Sequence, residues 1–180
     1  MFSFIELLRI VIVTVAIGYI FSGFVKYPLR SYTKKDNIEN IKFSMLVAAP
    51  AVILHELSHK FVAIAFGINA EFFASYFGLG LGVLLKLISS PLLVLVPGYV
   101  SITGSTINQS AIIAFAGPLM NLFLYGVATL LLMTKTRFSK KQLTFLFYTK
   151  RINIILFLFN MIPFGPFDGA KVFNALIGLF

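Results

Sequence analysis

The sequence predicts an all-α polytopic membrane protein with about five to six membrane-embedded helical segments. Two observations support this fold class. Hydrophobic residues make up 59% of the 180 positions and charged residues only 12%, against roughly 45–50% and 25% in soluble globular domains. No charged residue occurs over the 48 positions from Leu87 to Thr134, which is more than the about 20 residues that one membrane crossing needs.

The apolar segments are separated by basic stretches or by proline and glycine. We expect five apolar elements, over residues 2–25, 43–67, 76–96, 111–133 and 143–162. A small non-helical region is expected after the second of them. A break at residues 163–166, which contain two prolines and a glycine, ends the helical pattern. The tail after this break predicts a half-helix of about 16 Å.

Charged residues are expected at the ends of these elements. Glu6 and Arg9 lie three positions apart near the start of the first element and are expected to pair there. The net charge of +9 is concentrated in two basic loops, at 26–42 and 135–151. Such loops are typical of membrane proteins, so we expect a multi-pass protein of the cell membrane, in contact with the lipid bilayer and with no nucleic-acid partner.

The membrane orientation stays open at this stage. Basic loops are expected on the cytoplasmic side, which requires an even number of crossings between 26–42 and 135–151. Three full crossings between these loops would break that rule, so whether residues 76–96 cross fully is undecided. The sequence also leaves the oligomeric state open.

The only two histidines, His55 and His59, lie four positions apart around Glu56 in an apolar segment. On a helix, positions i and i+4 share one face, so both imidazoles can reach one metal ion. Glu56 lies about 100° further round the helix, close enough to act on a metal-bound water without being a ligand. Ionisable residues inside a membrane segment are functional candidates. The pattern predicts one zinc ion per chain, with Glu56 as the catalytic residue.

A catalytic zinc takes three protein ligands and keeps a position for water, so two histidines are not sufficient. The chain has no cysteine. Most acidic residues lie at span ends or in loops, namely Glu6, Asp36, Glu39 and Glu71. Asp168 directly follows an apolar segment at the 163–166 break and would lie within membrane depth. Elimination therefore favours Asp168 as the third ligand, the alternative being a carboxylate that caps the half-helix N-terminus.

Three motifs, in this order along the chain, together resemble the site-2 protease family of intramembrane zinc metalloproteases (peptidase family M50). They are His-Glu-Leu-Ser-His at 55–59, Ala-Gly-Pro-Leu-Met-Asn at 116–121, and Asn-Met-Ile-Pro-Phe-Gly-Pro-Phe-Asp-Gly at 160–169. Pro-Gly-Tyr-Val at 97–100 also resembles the turn that precedes the middle motif. One departure is Phe167, because the family usually has leucine before the Asp-Gly pair.

The resemblance implies an enzyme, a zinc metalloendopeptidase that hydrolyses peptide bonds within transmembrane segments of protein or peptide substrates. It implies His55, His59 and Asp168 as zinc ligands and Glu56 as the residue that activates water. It also implies that Asn160 helps to hold an unwound substrate strand or its oxyanion.

Several points stay open beside this resemblance. Interhelical hydrogen bonding is the favoured role for Asn121. Residues 1–180 are expected to form a single integral membrane metalloprotease domain without a PDZ or CBS domain. The alternative functions are a membrane metal-binding or transport protein and a catalytically inactive relative. Other intramembrane proteases fit poorly, because a Ser–His dyad needs a further histidine and an aspartyl site needs a second aspartate at membrane depth.

Overall fold

A computed structural model describes residues 2–26, 34–90, 97–134 and 137–178. The described residues form six helices and two short strands, which confirms the mostly helical class. In chain order they are α1 (Phe4–Phe21), α2 (Lys34–Ala65), β1 (Ala70–Ala74), α3 (Tyr76–Leu87), β2 (Gly98–Ile102), α4 (Ile107–Met133), α5 (Lys140–Asn160) and α6 (Asp168–Ile177).

Four helices, α1, α2, α4 and α5, are long and apolar enough to cross a membrane. Their outward faces carry large apolar side chains, such as Phe123, Leu130 and Leu158, each at least 60% exposed. An apolar outer surface on long helices suits contact with lipid, where the backbone polar groups are already paired within each helix. The protein is therefore a membrane protein.

Helix α3 is much shorter than the apolar element predicted at 76–96. It ends at Leu87 after 12 residues, which is about 18 Å of helix. That length is less than the about 30 Å of a bilayer core, so α3 alone does not cross. Residues 91–96 of the predicted element lie outside the described residues.

Two helices begin earlier than predicted and take in part of the expected basic loops. Helix α2 starts at Lys34 rather than near position 43 and continues through Pro50 to Ala65. Helix α5 starts at Lys140, because Ser139 and Gln142 cap each other's backbone N–H groups in a capping box. The loops predicted at 26–42 and 135–151 were therefore too long, since basic side chains are compatible with helix and only the caps mark its start.

The non-helical region expected after the second span contains β1. This strand pairs antiparallel with β2, from Ala70 opposite Ile102 to Ala74 opposite Gly98. Neither strand is predicted from the sequence. Phe72 is fully buried, and its ring lies so close to Gly98 that a Cβ there would be 2.8 Å from it. This contact holds the two strands close together, although α3 lies between them in the chain.

The predicted pairing of Glu6 with Arg9 is wrong. Glu6 instead accepts hydrogen bonds from the Lys60 ammonium and from the Phe72 N–H, the latter at 2.8 Å. Arg9 pairs with Glu71 at 2.5 Å. The i,i+3 rule considers a helix by itself, whereas here tertiary packing brings partners from α2 and β1 to α1. We call Glu6 and Lys60 the α1–α2 ion pair.

Candidate metal centre and active site

Helix α2 places His55 and His59 on one face, one turn apart. Their rings are nearly perpendicular, with centroids 4.7 Å apart, and their Nε2 atoms approach to 3.1 Å. Both residues are buried. The helical period therefore brings the two histidines together as their spacing predicts.

Asp168 is the first residue of α6 and reaches the same point from the other end of the chain. Its Oδ2 lies 3.1 Å from Nε2 of His55 and 3.2 Å from Nε2 of His59. The turn before it is tight, since a Cβ on Gly169 would lie 2.5 Å from the Met161 backbone. Glycine at position 169 therefore allows the start of α6 to pack against the end of α5.

The far nitrogen of each ring is fixed by a carbonyl oxygen. His55 Nδ1 donates to Oδ1 of Asn121 at 2.6 Å, and His59 Nδ1 donates to the Ile113 carbonyl at 2.7 Å. A neutral imidazole carries one proton, so donation from Nδ1 leaves the lone pair on Nε2. Both partners belong to α4, which holds the rings in the tautomer that a metal requires.

The three facing atoms, the two Nε2 and Oδ2 of Asp168, fit a zinc ion. Because both ring protons lie on Nδ1, the two Nε2 atoms and the carboxylate oxygen are all acceptors. Three acceptors that face one another attract a cation. Their separations of 3.1–3.2 Å are close to the about 3.3 Å between neighbouring ligands on a tetrahedral zinc. Two imidazoles and one carboxylate are also a usual donor set for catalytic zinc.

A cavity of about 310 Å³ opens beside these atoms. His55, Glu56 and His59 line it, and strand β2 also lines it through Gly98, Tyr99 and Val100. Asn160 and Asp168 also reach its wall. The cavity can therefore hold a peptide segment in contact with both Glu56 and β2.

Comparison with known proteins identifies the family. A model described as Peptidase family M50 matches residues 43–144. A Methanocaldococcus jannaschii protein assigned provisionally as a zinc metalloprotease is 35% identical over 190 residues, covering 99% of this chain and 91% of the relative. The chain belongs to peptidase family M50. It is accordingly a zinc metalloprotease, and its substrate is a protein.

A more distant relative also carries a metalloprotease name. A zinc metalloprotease of the same organism is 26% identical over 128 residues, which are 71% of this chain and 32% of the relative. No solved structure matches the chain. The M50 match spans the two histidines, β1, β2 and α4, but the matched segment ends before Asp168.

Asn160 lies at the last residue of α5 in this M50 peptidase. It lines the cavity, and its Nδ2 donates to the Leu156 carbonyl at 2.9 Å. The structure therefore brings Asn160 to the same cavity as Glu56 and the three facing atoms. Its predicted role toward substrate stays a prediction.

Three features of the M50 site were not found from the sequence. The Ile113 carbonyl contacts His59, Asn121 contacts His55, and a further asparagine, Asn153, contacts Asn121. Asn121 makes the interhelical hydrogen bonds predicted for it, but its contact with His55 was not predicted. An asparagine within an apolar segment is the sequence signal that could have indicated Asn121 and Asn153. The Ile113 carbonyl has no such signal, because every residue has a backbone carbonyl.

Proposed function

We propose that this M50 peptidase hydrolyses peptide bonds within the transmembrane segments of membrane proteins, as a multi-pass protein of the cell membrane. One observation carries the proposal. His55 lies ten residues before the end of α2, about 15 Å along a helix long enough to cross the bilayer. This distance is half of a bilayer core of about 30 Å, so the reaction takes place at membrane depth.

We assign His55, His59 and Asp168 as the ligands of one zinc ion per chain. Bound there, zinc would polarise the scissile carbonyl and lower the pKa of an attacking water. Glu56, next to His55 on α2, accepts the proton of that water and delivers it to the leaving amine. The proton thus moves from water to the new amino terminus, while the water oxygen becomes part of the new carboxylate.

The substrate backbone has to be unwound before it can be cut, because a helical segment keeps its carbonyls in i→i−4 hydrogen bonds. Unwound backbone at membrane depth needs other hydrogen-bond partners. Strand β2 offers them, because it is paired on one edge with β1 and lines the cavity. Addition of an extended segment to an exposed strand edge is a common mode of peptide recognition. Asn160 lines the same cavity and would donate a hydrogen bond to that segment or to its oxyanion.

The test compares cleavage in two environments with purified protein in proteoliposomes. Substrates carry the same peptide sequence either inside a transmembrane segment or in a water-exposed linker, and mass spectrometry maps the cut. We expect cuts within the transmembrane segment. Cleavage confined to the linker would contradict the intramembrane proposal and leave the metalloprotease assignment intact.

The Glu56→Gln variant tests the assigned base in the same assay. We expect zinc content to stay at the parent level and cleavage to fall by about 10²–10⁴-fold, the usual contribution of a general acid–base group. Glu39→Gln is the matched control, because Glu39 lies on the same helix in an exposed pair with Lys42. Parent-level cleavage by Glu56→Gln would exclude Glu56 as the base.

A further inference from the structure

A second buried asparagine stands behind Asn121. Asn153 on α5 is fully buried, and its Oδ1 accepts a hydrogen bond from Nδ2 of Asn121 at 2.9 Å. Its own Nδ2 donates to the Thr149 carbonyl at 2.8 Å. A continuous series of hydrogen bonds therefore runs from α5 through α4 to His55 on α2.

The direction of this series is set by two backbone carbonyls, which can only accept. The Thr149 carbonyl requires the NH₂ group of Asn153, which turns the Asn153 oxygen toward Asn121. The Ala51 carbonyl takes the other Nδ2 proton of Asn121, at 2.9 Å. Both amide protons of Asn121 are thereby used, and its Oδ1 is left for His55.

We propose that Asn153 is a positioning residue for the zinc site, which fixes the amide of Asn121 and through it the tautomer of His55. The inference rests on the proposed function, in which His55 binds zinc through Nε2. Asn153 does not touch His55 or substrate and acts only through Asn121.

A reversed Asn121 amide shows why the orientation matters. Its NH₂ group would face His55 Nδ1, which would then have to accept, and the ring proton would move to Nε2. Nε2 would lose the lone pair that a metal needs. The reversed Oδ1 would also face two acceptors, the Ala51 carbonyl and the Asn153 oxygen, so Asn153 is one of the two groups that oppose reversal.

Two substitutions at position 153 separate hydrogen bonding from packing. Asn153→Leu removes the acceptor at similar volume, and we expect His55 to show both tautomers and zinc affinity to fall about tenfold, the low end of the range for partners of metal ligands. Asn153→Asp keeps an acceptor for Asn121 in either protonation state, so it is expected to retain the parent tautomer. Asn40→Leu is the control, because Asn40 is equally an amide buried on a spanning helix, bonded to the Ser22 carbonyl.

The measurement is ¹⁵N NMR of ring-labelled histidine in detergent-solubilised protein, after metal removal by chelation. The chain has only two histidines, so the spectrum contains four ring nitrogens. His59, held by the Ile113 carbonyl, serves as an internal reference that no position-153 variant is expected to change. Zinc affinity is measured by chelator competition on the same samples.

The outcomes are distinct. A parent His55 protonated on Nε2 would overturn the inference without any variant, and so would an Asn153→Leu protein that folds and keeps the parent tautomer and affinity. Loss of the tautomer in Asn153→Asp would also overturn it. Failure of the proposed function has a different signature, in which His59→Ala leaves zinc binding of the parent unchanged.

Discussion

Two polar clusters meet α2 at neighbouring positions and have opposite characters. Lys60 of the α1–α2 ion pair directly follows His59 of the candidate zinc site, and neighbouring helix positions point about 100° apart. In the ion pair, the Glu6 carboxylate accepts hydrogen bonds from the Lys60 ammonium and from two backbone N–H groups. At the zinc site, three acceptor atoms face one another beside a cavity. The two histidines are buried as the ion pair is, so the three converging acceptor atoms, not burial, mark the reactive cluster.

The largest expected effect is the loss of stability caused by Lys60→Met in the α1–α2 ion pair. It leaves the Glu6 carboxylate buried without its counter-ion, which is expected to lower the free energy of unfolding by about 3–5 kcal/mol. Unfolding by SDS titration in mixed micelles measures this change. Lys42→Met is the control, since Lys42 forms an exposed pair with Glu39 on the same helix. A Lys60→Met protein as stable as the control would show that the pair is not needed for folding.

The zinc site is expected to respond to a single added methyl group. A Cβ at Gly117 on α4 would lie 2.6 Å from Cε1 of His59 and 2.7 Å from Cε1 of His55. Gly117→Ala is expected to displace both rings and reduce zinc affinity by about 10–100-fold, measured by chelator competition. Gly126→Ala on the same helix is the matched control, because its added Cβ meets nothing within 4 Å. Equal affinities for the two variants would contradict the packing described here.

The smallest effect on stability is expected from a second, more exposed ion pair near the α1–α2 ion pair. Arg9 pairs with the half-exposed Glu71 and donates to the Phe72 carbonyl. Because solvent screens this pair, Arg9→Met is expected to cost only about 1 kcal/mol of stability or less. The same SDS titration measures the change. A loss of stability as large as that of Lys60→Met would contradict the expected difference between the buried pair and the more exposed pair.

The sequence could predict the parts of the site that depend on local geometry. The spacing of His55 and His59 implies one helix face, and the 163–166 break places Asp168 at the start of a half-helix. Parts that depend on packing between distant elements could not be predicted. The partner of Glu6 is Lys60, 54 positions away, and β1 and β2 are five-residue strands joined across α3.

The position of Asp168 has a consequence for how the protein holds together. It meets His55 across 113 positions of chain, so a zinc ion bound by both, as proposed, would join the start of α6 to α2. Such a link closes a very long loop, as a disulfide does in proteins that have cysteine. In this cysteine-free chain, an ion held by the proposed ligands would also be a structural cross-link. Chelation is therefore expected to loosen the start of α6, which also packs against α4, as well as stop hydrolysis.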